Sequence, residues 1–186
     1  RKGRIKIRRN IKSPNSLFTG KKLSLRFLGR DDGATKQHED IDGISILGVD
    51  KHEWSVNSIS SHYSGDDALD LTNSHISIEK LDIKNPSEDG INLSSSRLEI
   101  HNKLTISSLK NGVKDRDLFD FEVDNGASYL ELYKGASINI EGVFGDQLHI
   151  YSQEMPKPIT RDKNERTYRF NKKLKNSALI FTFDSD

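Results

Sequence analysis

The chain has 186 residues, of which 33% are hydrophobic and 31% are charged, and its formal net charge is +1. This length suits one domain with a substantial core or a short array of repeats, and no stretch approaches the roughly 20 apolar residues of a membrane-spanning helix. We therefore expect no transmembrane segment, and the absence of cysteine excludes disulfides, thiolate zinc sites and cysteine nucleophiles.

Residues 1–41 are predicted to form a basic N-terminal cap and first coil. Residues 1–30 hold 11 Lys and Arg and no acidic residue. Within them, Ile5–Ile7 and Leu23–Phe27 alternate apolar and polar residues, which indicates strands. Arg4, Arg8 and Arg9 are candidate contacts for an anionic polymer, and the alternative is that this basic stretch neutralises the acidic body.

Residues 42–154 form an acidic body that contains an internal repeat. The segment DALDLTNSHISIEKLDI, which begins at Asp67, aligns with DGINLSSSRLEIHNKLTI, which begins at Asp89, at an offset of 22 residues and with one residue inserted in the second copy. Each copy holds three apolar–polar–apolar triplets, and this period of two is typical of short strands with one buried face. Looser copies begin at Asp42, Asp117 and Asp146.

Stacked copies of this repeat would enclose a continuous apolar interior and pair every backbone group with the coils above and below. The sequence therefore predicts an all-β fold, a right-handed parallel β-helix of about five to six three-strand coils, and the alternative is an antiparallel β-sandwich with hairpin turns at Asp-Gly and Asn-Gly. The predicted interior residues of the two clearest copies are Leu69, Leu71, Ile76, Ile78, Ile91, Leu93, Leu98, Ile100, Leu104 and Ile106.

The segments DDALDLTNSHISIEKLDIKN and SEDGINLSSSRLEIHN resemble the coils of right-handed parallel β-helix proteins of the pectin-lyase-like superfamily. Similar coils occur in β-helical modules of larger bacterial proteins, which favours a location in the cell envelope or outside the cell. The resemblance implies the fold and no single activity, because the superfamily includes lyases, glycoside hydrolases, epimerases, tailspikes and adhesins.

Five aspartates each stand two residues before the first strand of a coil. In register they would lie about 4.8 Å apart and repel one another. We expect each carboxylate to accept backbone N–H groups of its own turn, which would lower its pKa, and the alternative is a calcium ladder. These residues are Asp42, Asp67, Asp89, Asp117 and Asp146.

A second polar column points outward from the first strands and includes Asp70, Asp120 and His149. Asp70 and Asp120 would lie two coils apart, or about 9.6 Å, near the upper end of the separation between the two carboxylates of an inverting glycosidase. Pectin-lyase-like enzymes place their chemistry on this face, and Asp66-Asp67 resembles the paired aspartates of polygalacturonases. The other motifs of those enzymes are absent, so we expect a solvated surface, with a catalytic set as the alternative.

Tyr63 and Tyr129 are candidate aromatic contacts for a ligand, whereas Trp54 aligns with interior positions and is assigned to the core. No histidine pair has the spacing of a metal site, and no glycine-rich nucleotide motif is present. We therefore expect no cofactor and no nucleotide. Residues 155–186 are predicted to form a small cap with strands at Tyr168–Phe170 and Leu179–Phe183.

These observations predict a non-catalytic β-helical module of a larger protein, with neighbouring domains in the same chain. Its function would be to bind a polysaccharide or another anionic polymer, or to act as a rigid spacer. The alternative is a small glycan-active enzyme, a hydrolase or lyase, that uses Asp70 and Asp120 on the outward face.

Overall fold

The computed structural model describes residues 5–8, 17–27, 42–109, 116–145, 150–161 and 166–184. These residues form 17 strands and one short 3₁₀ helix, Lys51–Glu53, so the predicted all-β class is confirmed. None of the helical structure in these ranges is long and apolar enough to cross a membrane. The strands are β1 (Ile5–Arg8), β2 (Phe18–Gly20), β3 (Leu23–Arg26), β4 (Ile44–Leu47), β5 (Trp54–Val56), β6 (Ser58–His62), β7 (Leu69–Thr72), β8 (His75–Lys84), β9 (Ile91–Ser94), β10 (Arg97–Ser108), β11 (Phe119–Glu122), β12 (Ser128–Leu132), β13 (Ser137–Phe144), β14 (Tyr151–Ser152), β15 (Thr160–Arg161), β16 (Arg166–Lys173) and β17 (Leu179–Phe183).

The first sheet is parallel throughout and contains five strands in the order β1-β4-β7-β9-β11. Leu69 pairs with Ile91 and Leu71 with Leu93, at the 22-residue offset that the repeat predicts. The alternative of an antiparallel sandwich is wrong for this part of the chain, because consecutive first strands run in the same direction instead of forming hairpins.

The second sheet is mixed. Its parallel part contains β3, β6, β8, β10, β12 and β13. The sequence predicts two separate short strands over the range of β8 and two over that of β10, but in each case the pair is joined into one long strand. The register between β8 and β10 shifts after Ile100, where β10 contains the inserted residue.

The C-terminal strands add to this sheet in the antiparallel direction. β17 pairs with β12 and β16 pairs with β13, and the short strands β14 and β15 pair with β17 and β16. The two predicted C-terminal strands are therefore present. They occupy strand edges that would otherwise expose unpaired N–H and C=O groups.

Apolar residues from all three triplets of the repeat fill the core. The ten interior residues predicted in the two clearest copies are each no more than 2% exposed. Trp54 is also buried, and its ring stacks on Phe18 with 5.2 Å between the ring centroids. Alternation therefore identified the buried face correctly, since side chains on a strand point to opposite sides in turn.

Buried serines link the coils where the chain turns from the first sheet into the second. Ser96 Oγ accepts the Ser74 N–H at 2.9 Å, and Ser128 Oγ accepts the Ser96 N–H at 3.3 Å. Each of these hydroxyls also donates to a backbone carbonyl, Ser96 for example to that of Leu71 at 2.9 Å. The serines thus satisfy backbone groups that the corner removes from the strand ladder.

We expect Leu93→Ala to lower the free energy of unfolding by about 2–5 kcal/mol, because it opens a cavity in a closely packed aliphatic column. Urea unfolding followed by circular dichroism would measure the loss. Leu109→Ala is the matched control, since Leu109 is 75% exposed. Equal stabilities of the two variants would contradict the assignment of Leu93 to the core.

Candidate functional site

An acidic cleft of about 440 Å³ lies along the first sheet and the turns that precede its strands. Nine carboxylates line this cleft, and no basic residue from the described ranges does. Like charges at such short range raise one another's energy, so protons or cations are favoured there. The nine residues are Asp42, Asp66, Asp67, Asp70, Glu88, Asp89, Asp120, Glu122 and Asp124.

The aspartates that precede the strands link successive coils. Asp67 Oδ1 accepts the Asp89 N–H at 2.9 Å, and Asp89 Oδ1 accepts the Asp117 N–H at 2.6 Å. The sequence predicts backbone donors from the same turn, but here the donor belongs to the next coil. Asp42 instead accepts the hydroxyl of Ser45 at 2.5 Å. Asp67 and Asp89 therefore link neighbouring coils, whereas the sequence predicts that each aspartate caps its own turn.

Burial raises the pKa values of two of these aspartates, Asp67 and Asp89. For Asp67 burial raises the pKa to about 7, and the neighbouring carboxylates of Asp42 and Asp66 add to the effect. Burial, followed by the charge of Asp67, also raises the pKa of Asp89. The expectation of lowered pKa values is wrong, because the loss of water around the carboxylates outweighs their backbone hydrogen bonds.

Asp70 and Asp120 face the same cleft, as the second polar column predicts. Asp70 pairs with Asn92 on β9, and Asn92 pairs with Asp120 on β11, so two strand separations, about 9.6 Å, divide the carboxylates. Burial raises the pKa of Asp70 to about 7 and also raises that of Asp120. His149, the third member of the predicted set, lies outside the described residues.

The structure brings together Asp66, Asp67 and Glu88, whose ligand atoms lie within 4.8 Å of one another. Of these three residues, only Asp67 belongs to the predicted calcium ladder. Carboxylate oxygens are the ligands that calcium prefers, but acidic clusters are common without an ion. Asp146 lies outside the described residues.

A second surface, the Tyr129 groove, lies on the outer face of β8, β10 and β12. His75, Arg97 and Tyr129 are in register on these three strands. They line a groove of about 500 Å³ together with Asp50 and other polar residues. The Arg97 guanidinium lies 5.8 Å from the centroid of the Tyr129 ring, which is a cation–π distance. Tyr129, predicted as a ligand contact, is half-buried here.

Glu99 anchors the charged side chains beside this groove. It is 3% exposed, and it accepts hydrogen bonds from Lys51 and from His75 Nε2, the latter at 2.8 Å. Burial alone would raise its pKa, but these two hydrogen bonds outweigh burial and lower the pKa of Glu99 to about 2. Sequence reasoning missed this residue, since Lys51 is 48 positions away and belongs to no repeat.

The other predicted aromatic residue, Tyr63, stacks on Phe27 with 5.0 Å between the ring centroids. Arg8 is exposed at the end of β1, whereas Arg4 and Arg9 lie outside the described residues. Comparisons with protein-family models, curated proteins and solved structures found no match to this chain. Function is therefore inferred from the geometry of these surfaces.

We expect the stability of the protein to fall as the pH rises from about 4 to about 7. An unfolded aspartate has a pKa of about 3.9, whereas Asp67 keeps its proton in the folded chain up to about pH 7. Unfolding above about pH 4 therefore releases a proton, and the slope reaches about 1.4 kcal/mol per pH unit for one such carboxylate.

Asp67→Asn should flatten this dependence and raise the melting temperature at pH 7, because the amide oxygen can still accept the Asp89 N–H. Asp184→Asn, at an exposed position, is the control. Thermal unfolding at several pH values would measure both variants. A pH profile of Asp67→Asn that is parallel to that of the unmodified protein would contradict the inference.

Proposed function

We propose that this chain is a right-handed parallel β-helix module that binds a carbohydrate-like polymer without cleaving it. The β-helix is supported by the parallel pairing of equivalent strands in both sheets, at the 22-residue offset of the two clearest copies, and by the serine and aspartate links at two corners. The resemblance of its coils to the pectin-lyase-like superfamily agrees with this fold.

The row of His75, Arg97 and Tyr129 is the observation that carries the binding function. An aromatic ring, a guanidinium and an imidazole stand side by side on three consecutive strands. Such a row offers one flat apolar face for the C–H groups of a sugar and several donors for its hydroxyls. The Arg97 guanidinium already pairs with Glu131 and Glu99, so it is held in place before a ligand arrives.

The direction of the row favours a polymer as the ligand. Successive residues are separated by one strand spacing, about 4.8 Å, so the row runs along the stack of coils instead of along one strand. The groove is open, and Asp50, Asn73 and Ser95 extend its polar lining. An extended chain can contact several coils at once, whereas a small ligand would use only part of the row.

The ionisation of this face supports binding without catalysis. Glu99 has a pKa of about 2 and stays ionised at neutral pH, and it already accepts hydrogen bonds from Lys51 and His75. A general acid needs a pKa near the working pH. Glu99 therefore positions other side chains and has no proton to donate.

We expect Tyr129→Ala to weaken polysaccharide binding at least about tenfold, because truncation of an aromatic contact residue costs about 1–2 kcal/mol or more. Affinity electrophoresis in gels that contain neutral or acidic soluble polysaccharides would measure the change. Ile159→Ala is the control, since Ile159 is 57% exposed and does not line the groove. Unchanged migration in every gel, or equal retardation of both variants, would contradict the proposal.

A second candidate function is glycan hydrolysis in the acidic cleft. It is favoured by the placement of Asp70 and Asp120 in one cleft and by the pKa of Asp70, about 7, which suits a proton donor at neutral pH. In this reaction Asp70 would protonate the leaving oxygen. Asp120 would activate water from the opposite side, at the longer separation of an inverting enzyme.

Hydrolysis would appear as new reducing ends when the protein is incubated with soluble polysaccharides. In that case Asp70→Asn and Asp120→Asn should each lower the rate by about 100-fold or more, the usual contribution of one acid–base group. Asp82→Asn, on the second sheet, is the control. An absence of reducing ends with the unmodified protein would exclude hydrolysis of the substrates tested and leave the binding function.

A further inference from the structure

Two adjacent columns of side chains lie at the C-terminal ends of β3, β6 and β8 in the second sheet. Arg26, His62 and Lys84 are the last residues of these strands, and they are in register with one another. The residues that follow them make up the second column, and all three have positive φ. These three residues are Phe27, Tyr63 and Asn85. We call the four residues Arg26, Phe27, Tyr63 and Lys84 the aromatic corner.

The backbone at this corner does not favour aromatic residues. Phe27 has φ 57° and Tyr63 has φ 58°, in the left-handed region, which is uncommon for a bulky side chain and favourable for asparagine. Asn85 occupies the equivalent place in the next coil with φ 49°. The turn itself is required, because its N–H groups bond to the next coil, Tyr63 to the Lys84 carbonyl at 2.7 Å, for example.

The packing of the fold does not explain the two rings either. Phe27 is 61% exposed, so its ring gains little from burial. The rings stack with an interplanar angle of 22°, and the Arg26 guanidinium lies 5.0 Å from the Phe27 centroid and 5.3 Å from the Tyr63 centroid. The Lys84 ammonium lies 6.0 Å from the Tyr63 ring. An exposed side chain on a strained backbone, such as that of Phe27, points to a function outside the fold.

We propose that the aromatic corner binds an anionic polysaccharide at a site separate from the Tyr129 groove. The exposed face of Phe27 accepts the apolar face of a sugar ring. Arg26 and Lys84 bind its carboxylate or sulfate groups. Because Arg26 and Lys84 lie two strands apart, about 9.6 Å, they contact successive parts of a chain that runs along the coils.

The charge of the corner favours a sparsely charged polymer over a nucleic acid. The affinity of a protein for nucleic acid comes largely from Lys and Arg that neutralise several phosphates, whereas this corner offers Arg26 and Lys84. The third basic position, His62, is already hydrogen-bonded through Nε2 to Asp82 Oδ2 at 2.8 Å. Asp82 also adds a negative charge that would repel a continuous row of phosphates.

The corner and the groove lie at opposite ends of the same strand, β8, which begins at His75 and ends at Lys84. A polymer that contacts one site does not have to contact the other. Their functions can therefore be tested independently with variants of Tyr129 and Phe27.

The proposal is tested with Phe27→Asn and Tyr63→Asn, which replace each ring with the residue that the next coil uses in the same turn. The probes are dextran, carboxymethyl-dextran and dextran sulfate, which share one backbone and differ in charge, and a single-stranded oligothymidylate. Isothermal titration calorimetry at salt concentrations of about 50 and 200 mM would measure binding. Melting temperatures of the same variants would measure stability.

We expect the unmodified protein to bind at least one charged dextran and to bind neutral dextran at least about tenfold more weakly. A preference for carboxymethyl-dextran or for dextran sulfate identifies the anionic group. Phe27→Asn should weaken this binding at least about tenfold while leaving the melting temperature unchanged or higher. Arg26→Gln should weaken binding and reduce its dependence on salt.

The proposal would be overturned by equal affinity for neutral and charged dextrans or by tighter binding of the oligothymidylate. It would also be overturned if Phe27→Asn bound charged dextran as well as the unmodified protein does. A lower melting temperature of Phe27→Asn would mean that the ring stabilises the fold, which would overturn the proposal as well. Loss of binding in Tyr129→Ala together with unaltered binding by Phe27→Asn would assign the charged-dextran binding to the groove. Tyr151→Asn controls for the removal of an exposed ring elsewhere.

Discussion

Parallel, in-register pairing of the strands of one repeat with those of the next is the constraint on which the rest of this structure depends. It places each residue directly beside its equivalent in the neighbouring coil, so the molecule is organised in columns. Leucine and isoleucine columns fill the interior, and a serine column occupies one corner. A substitution at one position therefore affects the column above and below it as well as its own strand.

The same constraint brings like charges together. The carboxylates of the first sheet and those of the second sheet differ in their partners and in the direction of their pKa shifts. In the acidic cleft, no basic residue of the described ranges is among the lining side chains, and burial raises the pKa values of Asp67 and Asp70. On the outer face of the second sheet, Glu99 lies among Lys51, His75 and Arg97, and its pKa is low. One surface thus favours protons or cations, whereas the other holds a fixed set of ion pairs.

The two ends of the stack also differ. At the C-terminal end, β16 and β17 reverse direction and cover the edges of β13 and β12. At the N-terminal end, β1, β2 and β3 each pair with one strand of the next coil among the described residues. Exposed apolar and basic side chains gather at this second end, where Phe27 and Arg26 lie. The aromatic corner, and with it the proposed anionic ligand, lies at this second end.

The sequence by itself determined the columns of the two clearest coils, because a period of two sets the face of each side chain and a fixed offset sets its neighbour in the stack. It therefore identified Leu71, Leu93 and the shared cleft of Asp70 and Asp120. Only the tertiary structure decided what depends on distance and burial. The sign of the pKa shift of Asp67 depends on how much water the surrounding turns exclude. Glu99 accepts a hydrogen bond from Lys51, which is 48 positions away and belongs to no repeat. The left-handed backbone of Phe27 follows from a hydrogen bond to the next coil, and no property of phenylalanine predicts that conformation.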